Sequence, residues 1–246
     1  MIVFIFEGKR LDPNVFERML PVFFPDRNDC YTCFYNTNIY NLYQQLQALG
    51  TGADFLSVVR SMQPTAKQAE IGGLTSDDIA EIYLFFDFDF HDRNFQDAAK
   101  RQMLNDMLAY FNDETENGKL YLHYPMVEAI NYTKELPDPD FVNYKIPLAD
   151  SRGFKGLCDS FTAYKGCNHL QSRHRTDAEL LIFWKHLVMM HSHKVSMMVN
   201  PDTDTCQPSI LRRQFAEMDT CGSFFVLSGF PMFLIEYFPA ERFAVT

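Results

Sequence analysis

Two short apolar runs in this chain each stop abruptly in acid, and no other feature constrains its fold as much. Ile2-Val-Phe-Ile-Phe runs into Glu7-Gly8-Lys9, and Ile82-Tyr-Leu-Phe-Phe runs into Asp87-Phe-Asp89-Phe-His91. Continuous apolar runs of this length predict strands buried on both faces, as in a parallel sheet covered by helices. Open α/β sheets place their chemistry outside the C-terminal ends of the strands. A strand that ends in acid delivers that acid to the reactive edge. Glu7, Asp87 and Asp89 are therefore expected to meet there, although 79 residues separate the first two. Three converging carboxylates need a cation, and oxygen donors of this kind suit Mg²⁺ or Mn²⁺.

Helical signals alternate with the strands across the first half. Asp12-Pro13 reads as an N-cap followed by proline at N1, with Val15, Phe16, Met19 and Leu20 on one helical face. Cys30 to Tyr35 reads as a second strand. Asn38 reads as the cap of a helix with the stripe Ile39, Leu42, Tyr43, Leu46 and Leu49, closed by Gly50. Ala53 to Met62 reads as a further short helix. Asn94 is expected to cap the helix after the second acid-ended strand, with Phe95, Ala98, Ala99, Met103, Met107, Leu108 and Phe111 at helical spacing. Asn117-Gly118 predicts a turn, and Leu120 to Tyr124 a fourth strand running into Pro125-Met-Val-Glu128. Such alternation implies an α/β fold, a parallel sheet with right-handed crossovers flanked by helices. Glu135-Leu-Pro-Asp-Pro-Asp140 marks a connector, so residues 1–135 are expected as a catalytic domain and 136–246 as a mainly helical C-terminal domain. In the latter, Thr176-Asp-Ala-Glu179 is a capping box ahead of Leu180 to Met190, and Pro208 to Met218 reads as a second helix.

Apolar residues make up 47% of the 246 and include 24 Phe, which excludes a disordered chain. A net charge of -10 argues against a generic polyanion-coating protein. Nucleic acid stays open as a partner, because acids that bind cations account for part of that charge. The basic residues concentrate between Lys145 and Arg175, where Lys145, Arg152, Lys155, Lys165, Arg173 and Arg175 stand against only Asp150 and Asp159. That stretch is either a solvated face or a phosphate-contacting surface. The N-terminus enters a strand and lacks the basic region and cleavage site of a leader, so the six Cys are expected reduced, in the cytoplasm. Cys30-Tyr-Thr-Cys33 has no second pair at zinc-ribbon distance, and in a strand its two side chains diverge. Phe224 to Phe238 is the most apolar run, but Ser228, Gly229, Pro231 and Glu236 interrupt it. It falls short of the roughly 20 apolar residues a membrane span needs. It is expected in the core, with no membrane partner.

The Glu7-Gly8 pair closing the first strand and the Asp87-Phe-Asp89 element closing a later one resemble the Toprim domain of topoisomerases, primases and OLD-type nucleases, over residues 1–133. With Tyr124-Pro-Met-Val-Glu128 added, the chain is most similar to the small Toprim nucleases paired with ABC-type ATPases in anti-phage defence, the PARIS systems among them. The resemblance implies a Toprim-like parallel sheet and a metal-dependent endonuclease acting on DNA or RNA, host tRNA included. It further implies a partner ATPase and a homodimer in the active state. It gives Glu7 general acid–base or metal-linked work, assigns Asp87 and Asp89 to Mg²⁺ or Mn²⁺, and makes Glu128 the distal acid of an OLD-type site. The chemistry is sound, since divalent ions neutralise the phosphodiester, lower the pKa of bound water and stabilise the leaving oxygen. Gly8 would let the backbone turn beside the scissile phosphate. Lys9, Arg152, Lys155, Arg173 and Arg175 are the candidate nucleic-acid contacts, and His91 and Asp92 lie next to the Asp-x-Asp pair. The long spacing from Glu7 to Asp87 requires residues 50–80 to be an insertion in such a domain.

Two alternatives remain open on these residues. A HAD-type phosphatase also places Asp-x-Asp after an apolar strand, with the first Asp as nucleophile and the second as acid–base. A non-catalytic module would keep the acids for magnesium-dependent folding or for sensing phage. In the C-terminal half, His169, His174, His186, His191 and His193 lack a zinc spacing and read as helix-surface residues. Trp184 reads as core, and Arg212-Arg213 as a solvated helix face.

Overall fold

The unbroken apolar runs become the centre of a sheet. A computed structural model describes residues 1–8, 11–25, 30–34, 38–49, 58, 75–88, 98–161, 175–199 and 206–244. Strands β1 (Ile2–Phe6), β2 (Cys30–Phe34), β3 (Glu81–Asp87), β4 (Asn112–Asp113) and β5 (Gly118–His123) line up in the order β2-β1-β3-β5-β4. The first three and β5 run parallel, and β4 is a two-residue antiparallel edge that the sequence did not announce. The turn into β5 needs a glycine for two reasons. Gly118 has φ 97°, and a Cβ there would meet Leu84 at 2.5 Å. Among the described residues no strand falls between 50 and 80, and β3 pairs directly with β1. The expected helices at 53–62 and from Asn94 to residue 97 lie outside the described residues, apart from helical Val58.

Helices α1 (Leu11–Phe23), α2 (Ile39–Leu49) and α3 (Ala98–Tyr110) make the crossovers. The chain steps from β1 outward to β2, then back across β1 to β3, and this reversal sends α1 and α2 to opposite faces of the sheet. On the α1 face a row of rings runs across the strands. Phe34, Phe6, Phe85 and Tyr121 stack with centroids 6.3, 5.6 and 5.6 Å apart, in the register that pairs Phe6 with both Phe34 and Phe85 and Phe85 with Tyr121. Cross-strand aromatic pairs of this kind fix register, and the row lies just below the C-terminal ends of the strands.

Beyond the connector come β6 (Lys145–Pro147), α4 (Phe154–Phe161), α5 (Asp177–Met198), α6 (Gln207–Cys221), β7 (Ser223–Phe225) and α7 (Gly229–Tyr237). This half is mainly helical, with β6 and β7 forming a small antiparallel pair. The capping box forms as the sequence predicts: Thr176 Oγ1 accepts from the Glu179 amide, and Glu179 accepts from the Thr176 amide at 2.8 Å. The apolar run at 224–238 becomes β7 and α7. Phe230 lies 4.8 Å from Phe85, and Phe233 lies 4.8 Å from Tyr83 and 5.8 Å from Phe4. Helix α7 thus shares the α1 face of the sheet, and residues on both sides of the connector belong to one apolar cluster. Trp184 is fully buried against Phe23 of α1. Among the described residues no helix is long and apolar enough to cross a membrane.

One expectation for α5 needs correction. His191 is buried, not on the surface; its ring nitrogen Nδ1 lies 2.9 Å from the Leu187 carbonyl, to which it donates, and its ring lies against Phe141. Lys194 is buried too, because its ammonium donates to the carbonyls of Phe141 and Tyr144 at 2.9 and 2.7 Å. His193 stays exposed as expected.

Candidate active site

The C-terminal ends of β1, β3 and β5 meet the N-terminus of α1 and the 3₁₀ turn Val127–Asn131. This is also the point where the strand order reverses, between β1 and β3, which is where open α/β sheets form their crevice. Glu7 continues β1, its amide donating to the Phe85 carbonyl at 3.1 Å. Its Oε2 reaches across and accepts the Asp87 amide at 2.9 Å. Asp87 Oδ1 in turn accepts the Val127 amide at 2.8 Å, which ties the end of β3 to the turn carrying Glu128. Glu7, Asp87 and Glu128 therefore share one edge. Asp89, Lys9, His91 and Asp92 lie outside the described residues.

A fourth acid joins them. Asp12 is not a solvated N-cap: α1 begins at Leu11, and Asp12 sits inside its first turn, only 3% exposed. Gly8 makes room for it, since a Cβ at residue 8 would stand 2.9 Å from Asp12 Oδ2. The Glu7-Gly8 pair thus places one acid and clears space for another. Burial raises the Asp12 pKa to about 7, Glu128 adds to the rise, and the amides of Asp12 and Gly8 oppose it. Asp87 keeps some accessible surface, yet the packed protein around it makes desolvation the first cause of a strongly raised pKa. Glu7, Asp12 and Glu128 follow, in that order.

The last strand contributes His123, register partner of Asp87 and fully buried. Desolvation drops its pKa to about 3, with His191 a lesser cause. Its Nε2 stands 3.6 Å from Asp12 Oδ1, and neither atom has a hydrogen-bond partner. With both groups pushed toward their neutral forms, this contact is not a salt bridge.

The basic segment divides by location. Lys155 on α4 is 76% exposed and pairs with Glu128 at 3.3 Å, so it stands at the acidic edge. Arg152 is exposed just before α4. Arg175 lies over the Phe183 ring at the start of α5. Lys145 is committed elsewhere, neutralising the buried Glu217 at 2.7 Å. Arg173 and Lys165 lie outside the described residues. Arg213, read as solvated, also binds Glu217, at 3.1 Å.

Sequence reasoning missed Asp12 and His123 as members of the site. Asp12 had one usable signal, an acid at a helix start directly after an acid-ended strand. His123 had another, a lone imidazole in the last turn of pleat before the edge. Four carboxylates gathered at a switch point present an all-oxygen donor set of the kind that suits Mg²⁺ or Mn²⁺. Among the described residues, no three His, Cys, Asp or Glu side chains already close on one position.

Fold and site together define an open α/β protein with a mostly parallel sheet and an acidic C-terminal edge. Comparison of the chain with protein-family models, curated proteins and solved structures found no match.

Proposed function

We propose that the chain is a Mg²⁺- or Mn²⁺-dependent nuclease of Toprim type that hydrolyses nucleic-acid phosphodiesters as an anti-phage effector. The observation that carries this reading is the convergence of Glu7 and Asp87 at the switch point, joined by Asp12 and Glu128, with the Asp12 and Asp87 pKa values raised by burial and by neighbouring carboxylates. Carboxylates held against their own ionisation gain most from a cation. Glu7, Asp87, Asp12 and Glu128 would hold it, with Asp89 completing the set that the Asp-x-Asp motif supplies. When bound, a divalent ion activates water and neutralises the phosphodiester.

The residues of the chain do the rest. Glu7, at the opening between β1 and β3, is the acid–base group. Lys155, exposed beside Glu128, contacts a phosphate of the entering strand, and Arg152, Arg173, Arg175 and Lys9 are the further phosphate contacts of the proposal. Substrate DNA or RNA, host tRNA included, a restraining ABC-type ATPase and a homodimer in the active state belong to the same proposal, by resemblance. A phosphatase with Asp87 as nucleophile is disfavoured, since a carboxyl whose pKa is raised by burial and three neighbouring acids is a poor attacking group. A cleavage assay on plasmid, total RNA and tRNA, side by side with Mg²⁺, Mn²⁺ or chelator, tests the reading. Wild-type protein should cut at least one substrate only with metal, and Glu7→Gln should not cut. Hydrolysis of a small phosphomonoester with an acyl-phosphate trapped on Asp87 would replace it by the phosphatase reading.

A further inference from the structure

A buried imidazole beside four carboxylates invites assignment as a nitrogen ligand to a transition metal. The hydrogen bonds of His123 argue otherwise. Its Nδ1 accepts the Gly229 backbone amide at 3.1 Å, and Ser228 Oγ stands 3.3 Å from the same atom. A backbone N–H can only donate, so Nδ1 carries a lone pair, and neutral imidazole then bears its proton on Nε2. Nε2–H has no lone pair to offer a cation. It faces Asp12 Oδ1 at 3.6 Å, itself a buried atom without a partner. That separation is about 0.6 Å beyond an ordinary N–H···O bond and too short to admit a bridging water.

The position of the ring is set from the far end of the chain. Gly229 opens α7, and a Cβ there would press on Tyr121 Cβ at 3.1 Å and the Leu122 carbonyl at 3.2 Å. Glycine lets the helix start this close to β5 without displacing those neighbours, and that closeness brings its amide to Nδ1. Phe230 packs on the opposite side, its ring 4.9 Å from the imidazole.

We infer that His123 is a positioning residue and not a ligand: held by the start of α7, its Nε2–H fixes the Asp12 carboxyl at the acidic edge, so the cation site is built of oxygen alone. This rests on the proposed nuclease site and narrows it, because it states which buried group serves the cation indirectly and through which atom. It also makes α7, in the C-terminal half, a structural determinant of an edge built by the N-terminal half.

The test has three readouts. Nitrogen-15 NMR of metal-free wild-type protein should show His123 as the Nε2–H tautomer. Pulsed EPR of the Mn²⁺-loaded protein should show no directly coordinated ¹⁴N. Mn²⁺ titration should give affinity about tenfold weaker for His123→Phe. The double variant His123→Phe/Asp12→Asn should be no weaker than Asp12→Asn alone, and His123→Gln, which keeps a donor near Nε2, should recover most of the loss. A directly bound ¹⁴N that disappears in His123→Phe would overturn the inference. So would additive losses in the double variant, or an Nδ1–H tautomer in protein that binds Mn²⁺. Wild-type protein that binds neither Mg²⁺ nor Mn²⁺ would instead remove the nuclease reading and the positioning role with it. The tautomer measurement distinguishes these failures even where a variant does not fold.

Discussion

Replacing Asp12 with Asn should stabilise the metal-free protein at pH 8 and help much less at pH 5. In the folded chain burial and the Glu128 charge lift the Asp12 pKa from 3.8 to about 7. The folded state therefore holds a proton that the unfolded chain has released across that window. This group's contribution to stability is full below 3.8 and is lost as pH rises through 7. The accumulated cost of keeping Asp12 is about 4 kcal/mol at pH 8 and under about 2 kcal/mol at pH 5. Asn escapes it but brings an amide into a site with one unpartnered oxygen, which returns about 1–2 kcal/mol. The net expectation is a gain of about 2–3 kcal/mol at pH 8, shrinking to near zero at pH 5. Urea unfolding in chelator at the two pH values measures it, wild type beside variant. Adding Mg²⁺ should then reverse the order at pH 8, because the wild type binds the cation more tightly than the variant. A variant equally destabilised at both pH values, with the Mg²⁺ effect retained, would refute the reasoning and return Asp12 to a packing role.

Three further outcomes follow from the same geometry. The quadruple variant Arg152→Ala, Lys155→Ala, Arg173→Ala and Arg175→Ala should bind all nucleic-acid sequences more weakly and with a flatter salt dependence, while Mn²⁺ still binds at the acidic edge. Retained affinity with loss of a protein partner would make the segment an interaction surface. Phe233→Ala, at the contact between α7 and the sheet, should cost about 3–5 kcal/mol in denaturant unfolding, with loss of both halves in one transition. His191→Gln should gain on the wild type by about 3 kcal/mol between pH 7 and pH 4. Burial holds the His191 pKa at about 3, so its contribution to wild-type stability is full above 6.5 and is lost as pH falls toward 3.

The sheet was legible because its strands are written in one register of chemistry. Residues 2–6 and 82–86 are apolar without a break, which only a doubly covered strand allows, and the acids that end them mark the edge. The pairing of Glu7 with Asp87 followed from that alone. Asp12 was misread because Asp-Pro at a helix start has the same pattern whether the carboxyl caps the helix or turns under it. The close approach of Asp12 to Gly8 that decides between them is a property of packing. His191 was read as surface because a polar residue on a helix ordinarily marks the solvent side. The Phe141 ring that covers it is brought near only by the folded chain. The 224–238 run announced burial but not its counterpart, since a helix apolar at nearly every position carries little period to say which face meets what. The partners of His123 were out of reach for a related reason: residues 228 and 229 lie more than a hundred positions away.

The central claim is that the edge between β1 and β3 is a divalent-cation site. Anomalous diffraction from crystals of the full chain saturated with Mn²⁺ tests it most directly. The account predicts a peak bounded by the Glu7 and Asp87 carboxylates, lost in Asp87→Asn crystals that keep the same fold. Mn²⁺-saturated crystals with no peak at that edge, or with the ion held by other residues, would contradict it.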